Sequence, residues 1–160
     1  MVTARAVAET VTDPELPMLT LSDLGVLRDV QETADGVVVT ITPTYTGCPA
    51  MDAMRADLSS ALHRAGYGEV DVRTVLSPAW TTDWITPEGK LKLAEAGIAP
   101  PGAAPRGPIS LSLVPPVKRV PCPQCGSPDT QLLSEFSATA CKSLRRCRSC
   151  DEPFEHIKEI

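Results

Sequence analysis

Aromatic residues are scarce in this 160-residue chain, where two Trp, two Tyr and two Phe make up 4% of the sequence. Any core must therefore be aliphatic, and a 42% hydrophobic content can supply one. Long apolar runs are missing too. Stretches such as Val37–Val39 fall far short of the roughly 18 residues of a membrane helix, and the opening Met-Val-Thr-Ala-Arg lacks a signal peptide's apolar segment. The expectation is a cytoplasmic protein without a membrane partner. A basic excess is also absent: 15 Lys and Arg face 20 Asp and Glu, for a net charge of −5. That balance argues against a nucleic-acid partner, because phosphate binding relies on cations that release counterions. Neither a Glu-x-x-His helix pair for di-iron, nor a flavin fingerprint, nor a plant-type ferredoxin cysteine run occurs, so oxygen chemistry is not expected on this chain.

What the sequence does have is cysteine, unevenly spread. Cys48 stands alone, whereas Cys122, Cys125, Cys141, Cys147 and Cys150 crowd the last 39 residues. Cys122-Pro-Gln-Cys125-Gly and Cys147-Arg-Ser-Cys150 form two Cys-x-x-Cys pairs separated by 21 residues, close to the four-thiolate spacing of zinc ribbons. In a reducing compartment such pairs are better read as metal ligands than as disulfides. About forty residues with few large apolar groups also need such a staple to fold. Four sulfurs close the coordination sphere, so zinc there is structural; iron would fit the same sulfurs and could carry one electron. Cys141 is either a free strand thiol or an auxiliary ligand; His156 is either a competing ligand or, since four cysteines already complete the site, a strand histidine beside Phe154, the favoured reading. Residues 1–117 hold 8 Lys and Arg against 14 Asp and Glu, while 118–160 hold 7 against 6. The relatively basic tail matches the negative charge that four thiolates would carry.

Half of the sixteen prolines lie between 100 and 123, a density that forbids a helix and favours a semi-stiff connector, with Ile109–Val114 alternating as a short edge strand would. The expected organisation is an α+β domain over 1–97, a Pro-rich linker over 98–117 and a small all-β four-cysteine zinc ribbon over 118–160, with strands near Thr130–Phe136, Ala140–Arg146 and Pro153–Ile160. In the first domain, helices are expected at Ala4–Val11, Pro49–Ala65 and Pro87–Ala96, and strands at Leu27–Glu32, Val37–Thr42 and Glu69–Leu76. The order α-β-β-α-β-α implies a three-stranded mixed sheet covered by helices. Met51, Met54, Leu58, Ala61, Leu62 and Ala65 form one apolar stripe on the central helix.

Cys48 follows Thr46-Gly47 and precedes Pro49, where a strand gives way to that helix. With Pro49 at the first helical position, Cys48 falls at the N-cap, where free amides and the helix dipole favour a thiolate. The alternative is a small core thiol, since His63 is too far along the helix to act as its base. Asp13 and Glu15 flank Pro14 in a turn that either supplies carboxylates near this thiol or merely caps itself. Trp80 and Trp84 fall in one loop, either covering the end of the core or anchoring a partner.

The pattern Asp13-Pro-Glu-Leu-Pro, then Thr20-Leu-Ser-Asp-Leu-Gly25-Val-Leu-Arg28-Asp29-Val, then Thr44-Tyr-Thr-Gly-Cys48-Pro resembles SufT-like iron–sulfur assembly domains over about residues 3–78. Pro78-Ala-Trp-Thr-Thr-Asp-Trp-Ile85, Gly97-Ile-Ala-Pro-Pro101, Ala138-Thr-Ala-Cys141-Lys and the terminal cysteine pairs extend the resemblance to the D-subunit family of bacterial phenylacetyl-CoA epoxidases. The resemblance implies an accessory or maturation factor in phenylacetate catabolism, not the oxygenating subunit. It makes Cys48, supported by Asp13, Glu15, Thr46 and Gly47, the functional thiol that transiently holds iron or an Fe–S cluster. Implied partners are the epoxidase subunits, above all the iron–sulfur reductase or the di-iron subunit, with a homodimer as a further option. The alternative is a rubredoxin-like electron-transfer or structural subunit of the same complex.

Overall fold

The computed structural model describes residues 2–104, 107 and 118–160. They divide into two compact units, 1–89 and 90–160. The first opens with helix α1 (Ala4–Ala8), whose start is capped by the Thr3 hydroxyl accepting from the Ala6 amide. This helix stops three residues before the expected Val11. Val11 instead offers its carbonyl to the Leu21 amide, and Thr12 bridges Thr20, so pairing of the following loop removes these residues from the helix.

Strands β1 (Leu27–Glu32) and β2 (Gly36–Ile41) pair antiparallel, and helix α2 (Met51–Arg64) carries the chain across to β3 (Glu69–Thr74), which pairs parallel to β2. The result is the expected three-stranded mixed sheet, in the order β1-β2-β3. A parallel neighbour requires a crossover, and α2 supplies it. Val37, Val39 and Ile41 point to the same side of β2 and are buried, as are Met51, Met54, Leu58 and Leu62 on α2. Period two on the strand and period 3.6 on the helix thus place two aliphatic faces in one core.

After β3, a 3-10 turn (Thr82–Trp84) leads to helix α3 (Pro87–Glu95), capped by the Thr86 hydroxyl accepting from the Gly89 amide at 3.0 Å. The Thr20–Gly25 stretch is fixed by a reciprocal pair in which the Thr20 and Asp23 amides each donate to the other's side chain at 3.0 Å. The Asp23 carbonyl then accepts from Thr86, and the Leu24 carbonyl from the Trp80 indole at 2.8 Å.

The second unit contains β4 (Ile98–Ala99), β5 (Thr130–Ser134), β6 (Lys142–Cys147) and β7 (Pro153–Ile157), in the sheet order β4-β7-β6-β5. Strands β5, β6 and β7 follow the expected ribbon. Strand β4 pairs parallel with β7, so Ile98–Ala99 belong to the ribbon sheet, which corrects the expectation that the Pro-rich connector begins there. The physical reason is that Ile98 and Ala99, ahead of Pro100, still have both the apolar side chains and the amides that an edge strand needs. The expected strand at 109–114 lies outside the described residues. A half-buried ion pair, Lys142 to Glu155 at 2.8 Å, ties β6 to β7. Burial alone would raise the Glu155 carboxyl, but hydrogen bonds from Lys142 and Ser137 outweigh it and hold the group below the usual carboxylate range. Among the described residues, no helix is long and apolar enough to cross a membrane.

Candidate functional site

The second unit brings four sulfurs together. Those of Cys122, Cys125, Cys147 and Cys150 all lie within 4.8 Å of one another, with Cys122–Cys150 at 3.8 Å and Cys125–Cys147 at 3.6 Å. A tetrahedron with sulfurs about 2.3 Å from its centre has edges of about 3.8 Å, so the donor set fits one metal ion, whereas a disulfide would need about 2 Å. All four cysteines are unbridged.

The two knuckles repeat one backbone scheme. In the first, the Gly126 amide donates to the Cys122 carbonyl and the Cys122 amide to the Ser127 carbonyl, each at 2.9 Å, with Gly126 at φ 73°. In the second, the Cys147 amide donates to the Glu152 carbonyl at 2.9 Å, and Asp151 takes the left-handed position at φ 61°. The Ser127 and Ser149 hydroxyls meet at 2.7 Å between them.

The Ser149 amide points at the Cys147 sulfur from 3.4 Å. Burial opposes ionisation of Cys147, but the Cys150 and Ser149 amides and the neighbouring thiols prevail and bring it down to about 7. The Glu152 amide favours the Cys150 thiolate, yet burial and the surrounding sulfurs push that thiol up to about 12. One negative charge is therefore readily held on the cluster and the next is resisted. A cation is what allows the remaining thiols to ionise together.

Cys141 is not in this group: its sulfur lies 3.1 Å from the Thr139 hydroxyl at the start of β6. His156 is buried on β7, with Nδ1 3.4 Å from the Ser143 hydroxyl. Sequence reading missed the left-handed role of Asp151. Asp tolerates that region better than most residues, so its place after the second Cys-x-x-Cys, matching Gly126 after the first, is the signal that reveals it.

In the first unit, Cys48 lies on the turn between β2 and α2. The expected N-cap position is corrected: α2 begins at Met51 and its cap is Ala50, without a side-chain cap bond. Two successive tight turns intervene, the Cys48 amide donating to the Tyr45 carbonyl at 3.3 Å and the Met51 amide to the Cys48 carbonyl at 3.4 Å. Gly47 at φ 84° and the fixed φ of Pro49 impose these turns, and regular helix bonding starts only with Met54 to Ala50. Cys48 is 9% exposed, between exposed Gly47 and Pro49, with nothing within 4 Å of the place a Gly47 side chain would occupy. The thiol thus lies just beneath an open surface turn.

Asp13 is buried and accepts from the Glu15 and Leu16 amides, both at 2.8 Å, through one carboxylate oxygen. It caps its own turn. Among the described residues, the four ribbon cysteines are the group in which three or more Cys, His, Asp or Glu ligand atoms converge, and Asp13, Glu15 and Cys48 do not join such a set. Trp80 is buried, with its indole bonded to Leu24, and so covers the core. Trp84 is half-buried, and its ring carries the Arg28 guanidinium 3.7 Å from its centre.

A mixed three-stranded sheet with a cysteine at the β2–α2 turn, followed by a four-sulfur ribbon, defines a small α+β domain joined to a metal-binding module. Residues 3–75 match the family described as "Iron-sulfur cluster assembly protein", and residues 108–158 the "PaaD zinc beta ribbon domain". The chain is 44% identical over 155 residues to a protein of Escherichia coli (strain K12) provisionally named as the D-subunit of 1,2-phenylacetyl-CoA epoxidase, covering 97% of this chain and 90% of that one. The chain belongs to this D-subunit family. It is also 36% identical over 86 residues to the "Fe-S protein maturation auxiliary factor" of Porphyromonas gingivalis (strain ATCC BAA-308 / W83), covering 52% of this chain and 81% of that protein. The crystal structure of a domain of unknown function, DUF59, from Bacillus anthracis superimposes with a TM-score of 0.52 at 29% identity, covering 56% of this chain and 87% of that one.

Proposed function

We propose that this protein is a cytoplasmic, non-catalytic maturation factor of the phenylacetyl-CoA epoxidase system, assisting iron or Fe–S cluster assembly in a partner subunit through Cys48. The observation that carries this reading is the position of Cys48 just under the open Gly47 turn, in a domain that matches an iron–sulfur assembly family. The Cys48 sulfur, giving up its proton, can donate one electron pair to iron, and a recipient site with several thiolates takes the metal over by ligand exchange with no change of oxidation state. Here iron or the cluster is cargo.

The ribbon holds zinc in this reading. Cys122, Cys125, Cys147 and Cys150 fill a tetrahedral sphere and leave no open position, so the ion stabilises the fold and the sheet around it is free to meet a client. The recipients that fit are the iron–sulfur reductase or the di-iron subunit. Co-expression of the epoxidase subunits with a Cys48→Ser variant tests this. Iron or cluster content of the partner should fall severalfold while the variant keeps its ribbon metal; unchanged content would remove the thiol's role. Metal analysis separates the rubredoxin-like alternative: colourless protein with one zinc per chain supports the maturation reading, and coloured protein with one iron supports electron transfer.

A further inference from the structure

One face of the second sheet carries a polar stretch beside its apolar cluster, to which Cys147 and Phe154 of the same face belong. Ser143 and His156 are cross-strand partners, Arg145 lies two residues on from Ser143, and Leu132 opposes Arg145, so these residues share a face. Together with Thr130 they line a cleft of about 910 Å3, within the range of about 300–1,000 Å3 typical of small-molecule sites.

Five cations among the described residues border it: Lys118, Arg119, Arg145, Arg148 and Lys158. The acids there are Glu159, ion-paired with Lys118; Asp129, 3.9 Å from Arg148; and Glu135. A positive excess remains, and the cations feel one another. Burial first, and the charge of Arg145 second, lower the Lys118 ammonium. Burial, then Lys118 and Arg145, push His156 down to about 4, so its imidazole is neutral near pH 7 and serves as a hydrogen-bonding group.

Arg145 provides the second observation. It is 7% exposed, its Nη2 donates to the Lys118 carbonyl at 3.2 Å, and its buried Nε has no hydrogen-bond partner among the described residues. The Glu135 charge offsets part of the cost of burying this guanidinium, the unmet N–H keeps the rest, and the guanidinium fork suits a planar pair of oxyanion oxygens.

We infer that this cleft binds a small diphosphate-bearing anion, with Arg145 on one phosphate and Arg119 and Lys158 attracting the ligand from the rim. Glu135, whose charge already acts on Lys118 and Arg145, lies beside the site, and a compact anion that carries few charges is opposed by it less than an acidic peptide would be. The inference is independent of any role of Cys48.

Calorimetric titration of the full-length zinc-loaded chain with ADP, and with adenosine as control, tests it. ADP should bind saturably and adenosine should not. Arg145→Gln should weaken ADP binding by about tenfold or more. The double variant Arg119→Gln/Lys158→Gln, more exposed and so gentler on folding, should weaken it comparably with zinc content and thermal transition unchanged. The inference is overturned by absence of saturable ADP binding, by equal binding of adenosine, by full affinity in the double variant, or by a glutamate-rich peptide binding that ADP does not displace.

Discussion

Asp151 occupies in the second knuckle the position that Gly126 occupies in the first: each directly follows the second cysteine of its pair, and each has a left-handed backbone, at φ 61° and 73°. The turn geometry that aims two sulfurs at one ion is thus built once with glycine and once with aspartate, which also accepts from Arg146 at 3.0 Å. Asp151→Gly should be neutral within about 1 kcal/mol, exchanging a small conformational strain for a lost surface ion pair. Asp151→Val should cost about 1–2 kcal/mol, since a β-branched side chain resists this region. Thermal unfolding of the zinc-loaded variants measures both, and a Val variant as stable as the parent would contradict the assigned geometry.

Removing the metal should unfold the ribbon selectively. With Cys150 pushed up to about 12 and Cys147 brought down to about 7, the metal must displace protons from thiols that hold them at neutral pH. Protons therefore compete with zinc, and apparent affinity falls as pH falls. Competition with a chromophoric chelator should show a dependence steeper than about tenfold per pH unit below pH 7, since more than one thiol must be deprotonated. Chelation at pH 7 should abolish the amide signals of β5–β7 while those of β1–β3 persist.

Asp13 separates a structural carboxylate from a functional one. Asp13→Asn keeps an acceptor for the Glu15 and Leu16 amides and should change stability by less than about 1 kcal/mol, whereas Asp13→Ala leaves two amides unmet and should cost about 1–2 kcal/mol. If the Asn variant also supports metal delivery to the partner, the turn role is sufficient. Loss of delivery with stability intact would make the charge itself functional.

The local periodicities already specified most of the elements. The stripe Met51-Met54-Leu58-Leu62, the alternation Val37-Val39-Ile41 and the paired Cys-x-x-Cys motifs each depend on spacings of a few residues, and backbone geometry alone converts those spacings into faces or knuckles. Tertiary structure decided what spacing cannot encode. It placed Trp80 inside, because the Leu24 carbonyl was there to satisfy the indole. It enlisted Ile98–Ala99 into the ribbon, left Cys141 outside the sulfur cluster, and set Arg145, Ser143 and His156 on one face of the second sheet. Each of these outcomes depends on a partner distant along the chain, and sequence patterns carry no direct record of which distant groups meet.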